Sequence, residues 1–152
     1  MTVEGHHALT AELKQLTGVE RQRISKEIGI AREHGDLKEN AEYHAAKEKQ
    51  GLIEARVAHL EGMLARAEVV EPSQMSGDRV KFGAIITLED VDTGVTRTFR
   101  IVGAEEADVA SGKLSVTSPM SRACINMEVG DEVRVVAPSG PRNYQITELR
   151  WK

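Results

Sequence analysis

Two carboxylates, Asp36 and Glu39, stand close together in residues 31–50 (AREHGDLKENAEYHAAKEKQ), with Glu33 and Glu42 on either side. Carboxylate oxygens suit Mg²⁺, which prefers octahedral coordination and usually keeps waters or substrate phosphates as its other ligands. Two carboxylates do not complete such a coordination shell. The spacing therefore predicts a metal site that a second molecule must complete, and it argues against a free-standing Mg²⁺ hydrolase.

The same acidic pair has a structural alternative. Asp36 stands where a helix N-cap would stand, and Glu39, three positions later, could complete a variant of the capping box. An Asp-x-x-Glu spacing often opens a helix, so the spacing alone leaves both interpretations open. His34 and His44 flank the pair, but they lack the tight ligand set that would indicate a zinc site.

Heptad spacing on both sides of the acidic turn predicts the element that carries it. Apolar side chains recur in steps of three and four over residues 43–67 and again over 9–31, where one stutter follows Glu20. Two stripes of similar length around a short turn are typical of an antiparallel helical hairpin. We expect its helices over about residues 6–34 and 38–69.

A change of pattern near residues 71–77 predicts a second domain. Short β-rich runs follow, separated by turn signals such as Asp92-Thr93-Gly94. The runs cover residues 79–88, 95–102, 113–117, 132–136 and 144–149, and residues 119–127 could form one short helix. We therefore expect an α+β fold, with a coiled-coil hairpin domain over 1–72 and a small antiparallel domain over 77–152.

Composition restricts the partners. The net charge of −4 argues against a protein that coats nucleic acid by bulk electrostatics, and 3% aromatic residues argue against a base-stacking platform. Any contact with DNA or RNA must therefore be local or made through a partner. The single Cys124 cannot form an internal disulfide, and no signal peptide or membrane-length apolar run is evident. We expect a cytoplasmic protein that does not contact the membrane.

Three segments resemble the GreA/GreB family of bacterial transcript cleavage factors, which act in transcription elongation. They are residues 31–50, FRIVGAEEAD at 99–108 and SVTSPMSRACINMEVGDEV at 115–133. The likeness covers essentially the whole chain, and the tip sequence is closer to the GreA branch than to GreB. The resemblance implies a coiled-coil finger that enters the secondary channel of backtracked RNA polymerase. It also implies an FKBP-like C-terminal domain that binds the rim of that channel.

The resemblance assigns roles to the acidic pair. Asp36 would be a ligand of a Mg²⁺ held jointly with the polymerase active site, and Glu39 would orient the ion or its water. The polymerase itself would cut the nascent RNA near its 3′ end, so the chain would be an accessory factor and not an enzyme. No metal is expected in the isolated protein. The alternative is a non-catalytic coiled-coil adaptor or inhibitor of RNA polymerase, which the intact acidic pair disfavours.

Further residues gain roles from the same resemblance. Arg32 and Lys47 would form a small basic patch that faces the RNA, and Asn40 and Tyr43 would support the tip, although packing between the helices is the alternative for Tyr43. Polymerase docking would involve Ser118, Pro119, Met120 and Arg122; the alternative for this stretch is a short helix that closes the core of the sheet and makes no direct contact. In this segment the chain departs from the residues usual in the family at Ser121, Cys124, Asn126 and Met127. Because both helical stripes are used internally, we expect a monomer.

Overall fold

The chain folds into two compact units. The computed structural model describes residues 1–35 and 39–151. One unit consists of His6–Glu68, and the other of Met1–Gly5 together with Val69–Lys152. The first five residues, which were predicted to belong to the hairpin domain over 1–72, pair here with the second unit. The Val3 N–H donates to the Val70 carbonyl at 3.0 Å, and the Val70 N–H donates to the Met1 carbonyl at 2.8 Å.

The helical unit contains the predicted hairpin. Helix α1 (Val3–Gln15) continues through a π-helical turn (Leu16–Glu20) into α2 (Arg21–Arg32), and the chain returns in α3 (Ala41–Arg66). The π-helical turn lies at the stutter in the heptad pattern, where a wider turn absorbs the irregular step without ending the helix. Helix α3 begins three residues later than the sequence predicted.

Apolar side chains on α2 and α3 form the core of the hairpin, as the heptad stripes predict. The buried residues are Ile24, Ile28 and Ala31 on α2 and Ala46, Ile53, Val57 and Leu60 on α3. Ile24 and Leu60 are completely inaccessible to solvent. The stripe positions are therefore buried because they lie on the face of each helix that contacts the other.

Two bidentate ion pairs join the arms of the hairpin. Arg21 contacts the Glu54 carboxylate at 2.8 and 3.0 Å, and Arg56 contacts Glu12 at 2.8 and 3.1 Å. The hydrogen bond from Arg56 is the main cause that lowers the pKa of Glu12; burial opposes it and the Arg56 charge adds to it. Such exposed pairs contribute about 0.2–1 kcal/mol each, so they help to set the register and add little stability.

The second unit is built on one five-stranded sheet in the order β3-β2-β1-β5-β4. Its strands are β1 (Ile85–Asp90), β2 (Thr96–Val102), β3 (Lys113–Ser115), β4 (Glu132–Ala137) and β5 (Gly140–Arg150). All pairs are antiparallel except β2 with β3. The prediction of a wholly antiparallel sheet is therefore wrong for the pair of β2 and β3. Residues 103–112 carry the chain back to the starting end of β2 before β3 begins, so the two strands run in the same direction.

The core of this unit lies on one face of the sheet, beneath the short helix α4 (Pro119–Cys124). Its buried residues are Val80, Ala84, Ile86, Leu88, Phe99, Ile101, Leu114, Cys124, Val133 and Ile146. Trp151, the single tryptophan of the chain, packs against this cluster. The fold is therefore α+β, with separate helical and sheet units. None of the helices in the described part of the chain has the length and apolarity needed to cross a membrane.

Candidate functional site

Asn40 forms the N-cap of α3, next to the acidic pair. Its backbone is extended, and its side-chain Oδ1 accepts a hydrogen bond from the Tyr43 N–H at 3.0 Å. This contradicts the capping alternative, in which Asp36 would have opened the helix and Glu39 would have completed a capping box. The sequence alone did not identify Asn40 as the N-cap, because Asn and Asp are equally good N-caps and Asp36 and Asn40 both precede the apolar stripe.

The side chain of Glu39 makes no stabilising contact with the described residues. Its side chain is exposed, and it takes part in no hydrogen bond or ion pair with any residue in 1–35 or 39–151. It directly precedes the N-cap of α3, a 26-residue helix whose N-terminus carries partial positive charge. Its carboxylate oxygens are therefore not engaged by any residue of the described ranges.

Asp36 lies outside the described residues, so its role as a metal ligand stays a prediction. Within the described ranges, no group of three His, Cys, Asp or Glu side chains could hold a metal ion. A carboxylate such as Glu39 suits Mg²⁺ by its chemistry, since hard oxygen ligands are the ones this ion prefers. The described residues thus fit a partial site and not a complete one.

The predicted basic residues are both exposed. Arg32 is the last residue of α2 and makes no ion pair or hydrogen bond through its side chain within the described residues. Lys47 lies two turns into α3 and donates to Gln50 Oε1 at 3.1 Å. Neither cation is neutralised by a carboxylate of the described chain, so both remain able to bind phosphate.

The aromatic and imidazole side chains near the tip serve the hairpin itself. Tyr43 is half-buried against the hairpin core, as the packing alternative predicted. Its ring meets the His44 ring edge-on, with centroids 5.6 Å apart. His34 Nε2 lies 3.5 Å from Glu42 Oε2, and both side chains are exposed. This pair connects the end of α2 with the first turn of α3.

The predicted docking segment coincides with α4. Ser118 is its N-cap and accepts from the Ser121 N–H at 3.2 Å, and Pro119 occupies the first turn. Met120 packs partly against the sheet core, while Pro119 and Arg122 are exposed. The segment is therefore a short capped helix in which Pro119 and Arg122 face solvent, while Met120, Ala123 and Cys124 pack into the core.

Comparison with known proteins identifies the family. A model described as "Transcription elongation factor, N-terminal" matches residues 1–69, and one described as "Transcription elongation factor, GreA/GreB, C-term" matches residues 75–150. The chain belongs to the GreA/GreB family of transcription elongation factors.

Individual members of the GreA/GreB family match over nearly their whole length. Transcription elongation factor GreA of Hyphomonas neptunium is 55% identical over 152 residues, which cover 100% of this chain and 97% of that protein. Transcription elongation factor GreA of Maricaulis maris is 55% identical over 151 residues, covering 99% and 96%. Among solved structures, GreA factor homolog 1 (Gfh1) of Thermus thermophilus is 29% identical, with coverage of 99% and 97% and a TM-score of 0.44.

The fold accommodates the residues around α4 that were expected to differ from the GreA/GreB pattern. Ser121 is fully buried, and its hydroxyl oxygen accepts from the Ser118 hydroxyl at 3.0 Å, so the added polar group is satisfied. Cys124 is fully buried, and burial raises the pKa of its thiol to about 11. Asn126 has φ 68°, in the left-handed region that Asn tolerates better than most residues with a side chain. All three residues are thus compatible with the fold of the segment.

A cavity that the sequence did not predict lies next to α4 of this GreA/GreB chain. It has a volume of about 390 Å³, and Met120, Phe99 and Tyr144 are among its lining residues. Asp90, also in the lining, is 5% exposed and accepts from Arg142 at 3.0 Å. Burial raises the pKa of Asp90, but the N–H groups of the following turn and Arg142 outweigh it and hold the pKa below its ordinary value. The turn signal after Asp90 was visible in the sequence, but its distance from α4 was not.

Proposed function

We propose that this chain is a transcript cleavage factor for RNA polymerase. The end of its helical hairpin enters the secondary channel of a backtracked polymerase and stimulates the Mg²⁺-dependent cleavage of the extruded RNA 3′ end by the polymerase itself. The chain is an accessory factor on this proposal, since the site that performs the chemistry belongs to the polymerase. DNA is contacted only through the transcription complex.

The proposal is supported chiefly by the carboxylate of Glu39, which lies directly before the N-cap of α3 and has no partner among residues 1–35 and 39–151. A carboxylate that served the fold would be expected to cap the helix or to pair with a cation, and Glu39 does neither within the described chain. Exposed acidic side chains are common, so this observation gains its weight from membership of the GreA/GreB family. Together they favour a carboxylate that acts on a partner.

The acidic pair acts by providing oxygen ligands. When bound at the polymerase active site, Mg²⁺ supplies an activated water and stabilises the charge on the leaving oxygen. Asp36 would hold the ion through its carboxylate, and Glu39 would orient the ion or its water. The positive end of the α3 dipole lies beside Glu39 and partly offsets the repulsion between the two carboxylates.

Cationic and docking residues complete the proposed interface. Arg32 and Lys47 bind phosphates of the extruded RNA, where contacts position the strand without reading its sequence. Asn40 and Tyr43 support the tip. Docking to the channel rim uses α4, through the residues Ser118, Pro119, Met120 and Arg122. The cavity beside Met120 has the size of a pocket that can accept a protruding apolar side chain.

The test is a cleavage assay on a backtracked elongation complex with Mg²⁺. We expect the native chain to release short 3′ RNA fragments, and we expect Asp36→Asn and Glu39→Gln to reduce that release by roughly 10²-fold or more, since each removes a group that positions the reacting atoms. Both variants should bind polymerase as the native chain does. Glu48→Gln is the matched control, because Glu48 is an exposed carboxylate on α3 without a partner in the described chain.

The alternative functions give different results in the same assay. Binding to polymerase with no fragment release by the native chain would indicate a non-catalytic coiled-coil adaptor or inhibitor. RNA cleavage in the absence of polymerase would indicate a hydrolase. If Asp36→Asn and Glu39→Gln released fragments at the native rate, the role of the acidic pair would be refuted.

A further inference from the structure

The cavity beside α4 lies wholly within the sheet unit. Its lining comes from β1, β2, α4, β4 and β5, and all of these elements belong to one compact unit. Each element contributes an apolar or aromatic side chain, and these are Leu88, Phe99, Met120, Val135 and Tyr144. Leu88, Phe99 and Val135 are buried. The cavity therefore offers an apolar surface that extends from the exterior into the folded unit.

Two guanidinium groups and one carboxylate line the same cavity, so its charges do not cancel. The residues are Arg97, Arg142 and Asp90. Asp90 Oδ2 accepts a hydrogen bond from an Arg142 N–H at 3.0 Å, which neutralises one cation. Arg97 is exposed, and its side chain has no ion pair or hydrogen bond within the described residues. The lining therefore carries one net positive charge.

Asp90 also fixes where Arg142 lies. Asp90 Oδ1 accepts from the backbone N–H groups of Asp92 and Thr93 at 2.9 and 3.3 Å, so the turn after β1 holds its carboxylate in place. Arg142 contacts Asp90 through one N–H donor, and a guanidinium has several more. The Arg142 side chain is 55% exposed. Donors of Arg142 thus remain accessible at a fixed position in the cavity wall.

Volume, apolarity and charge together define which ligand suits the cavity. The volume of about 390 Å³ lies within the range of pockets that bind small molecules, and such pockets combine an apolar lining with a few polar groups that fix orientation. Burial against the apolar lining favours a ligand with an apolar body. The net positive charge favours an anionic group on that body, because a guanidinium forms charge-assisted hydrogen bonds with the oxygens of an anion.

We infer that the cavity beside α4 binds a small organic anion, in which a carboxylate or sulfonate group is attached to an aromatic or aliphatic body. The body packs against Phe99, Met120 and Tyr144, and the anionic group accepts hydrogen bonds from Arg97 and Arg142. This site goes beyond the proposed function, since all of its residues belong to the sheet unit. It holds or fails independently of whether the hairpin stimulates RNA cleavage.

The first experiment titrates the whole chain with two fluorescent probes that differ in charge. Anilinonaphthalene sulfonate is an aromatic anion, and phenylnaphthylamine has the same rings without the sulfonate. Arg97→Met removes the cation and keeps an unbranched apolar side chain. We expect it to weaken the binding of the sulfonate probe roughly threefold to fivefold and to leave that of the neutral probe unchanged. Arg134→Met is the matched control, since Arg134 is an exposed cation of β4 outside the cavity lining.

A second pair of variants changes the charge of the cavity without removing a cation. Val95 lines the cavity and is 59% exposed, so Val95→Glu adds a carboxylate beside the ligand without disturbing the core. Val91 is 51% exposed and lies outside the lining, so Val91→Glu is the matched control. We expect Val95→Glu to weaken sulfonate binding roughly threefold or more, and Val91→Glu to weaken it by a smaller factor. Native affinity of the sulfonate probe in both Arg97→Met and Val95→Glu would overturn the inference.

Methyl NMR on the 16.7 kDa chain locates the bound probe. We expect the sulfonate probe to shift the methyl signals of Leu88, Met120 and Val135 and to leave those of Ile24 and Val57 in the hairpin core unchanged. Shifts confined to residues outside the cavity would overturn the inference. A loss of binding to RNA polymerase in Arg97→Met, with native affinity for the sulfonate probe, would also overturn it, because the cavity would then serve a protein partner.

Discussion

Replacement of Ile24 by alanine tests whether the contact between α2 and α3 stabilises the hairpin. Ile24 lies on α2, is completely inaccessible to solvent, and belongs to the apolar cluster of the hairpin. Ile30 lies on the same helix but is 51% exposed. Ile30→Ala is therefore a matched control, because the change in helix propensity is the same at both positions.

The expected difference follows from burial. Deletion of a buried Ile side chain to Ala costs about 2–5 kcal/mol, because transfer free energy is lost and a cavity remains between the helices. The same change on an exposed surface usually costs less than about 1 kcal/mol. With a urea m-value of about 1–3 kcal/mol/M, Ile24→Ala should lower the midpoint of hairpin unfolding by at least about 0.3 M relative to Ile30→Ala, and by about 1 M or more for mid-range values.

Two signals allow the units to be followed separately in one urea titration. Circular dichroism at 222 nm reports chiefly on the hairpin, which holds the long helices, and fluorescence of Trp151 reports on the sheet unit that it packs against. The loss in Ile24→Ala should be seen in the dichroism transition. Equal midpoints for Ile24→Ala and Ile30→Ala would refute the view that the α2–α3 stripe holds the hairpin together.

Three further predictions concern ionisation and close packing. Glu12→Gln should cost less than about 1 kcal/mol at pH 7, given the exposure of this ion pair. Because the folded pKa of Glu12 is lowered, its contribution is present above the ordinary value of 4.5 and is lost as pH falls through the lowered pKa. The urea midpoints of native chain and variant should therefore converge as the pH is lowered below that range, and a gap that stays constant with pH would contradict this. Because the thiolate is the reactive form and the thiol pKa of Cys124 is about 11, Cys124 should react with a disulfide reagent at pH 8 at least about tenfold more slowly in the folded chain than in urea. Equal reaction rates in the two conditions would contradict the burial of Cys124. Gly5→Ala should lower the melting temperature, because a Cβ there would overlap the Glu106 carboxylate. Gly29 has open space around it, so Gly29→Ala should be neutral or stabilising by up to about 1 kcal/mol. An unchanged melting temperature in Gly5→Ala would contradict the close approach of Gly5 and Glu106.

The periodic parts of the fold were predictable from the sequence. Buried Ile24, Ile53 and Val57 fall on the heptad stripes, because a helix that packs against another buries every third or fourth residue whatever else the protein does. The sheet unit was predictable in outline for a similar reason, since β-rich runs between turn signals become strands. The parallel pairing of β3 was not predictable, because it depends on how residues 103–112 turn and not on any local pattern.

The candidate site shows the same division. The types and spacing of Asp36 and Glu39, together with the family resemblance, were enough to propose a shared metal site. Whether those acids cap a helix could not be decided from spacing, because Asp36 and Asn40 are both good N-caps. The structure decided it by starting α3 at Ala41, which leaves Glu39 ahead of the cap.

Thus the sequence by itself determined the helical stripes, the turn that bears the acids and the chemistry those acids can offer, since each of these depends on residues that are near neighbours in the chain. Only the tertiary structure decided that the Asn40 amide reaches the Ala31 carbonyl and that Met120 shares a cavity with Tyr144. Those contacts join positions on different elements. Their existence depends on how the elements pack, which local spacing does not specify.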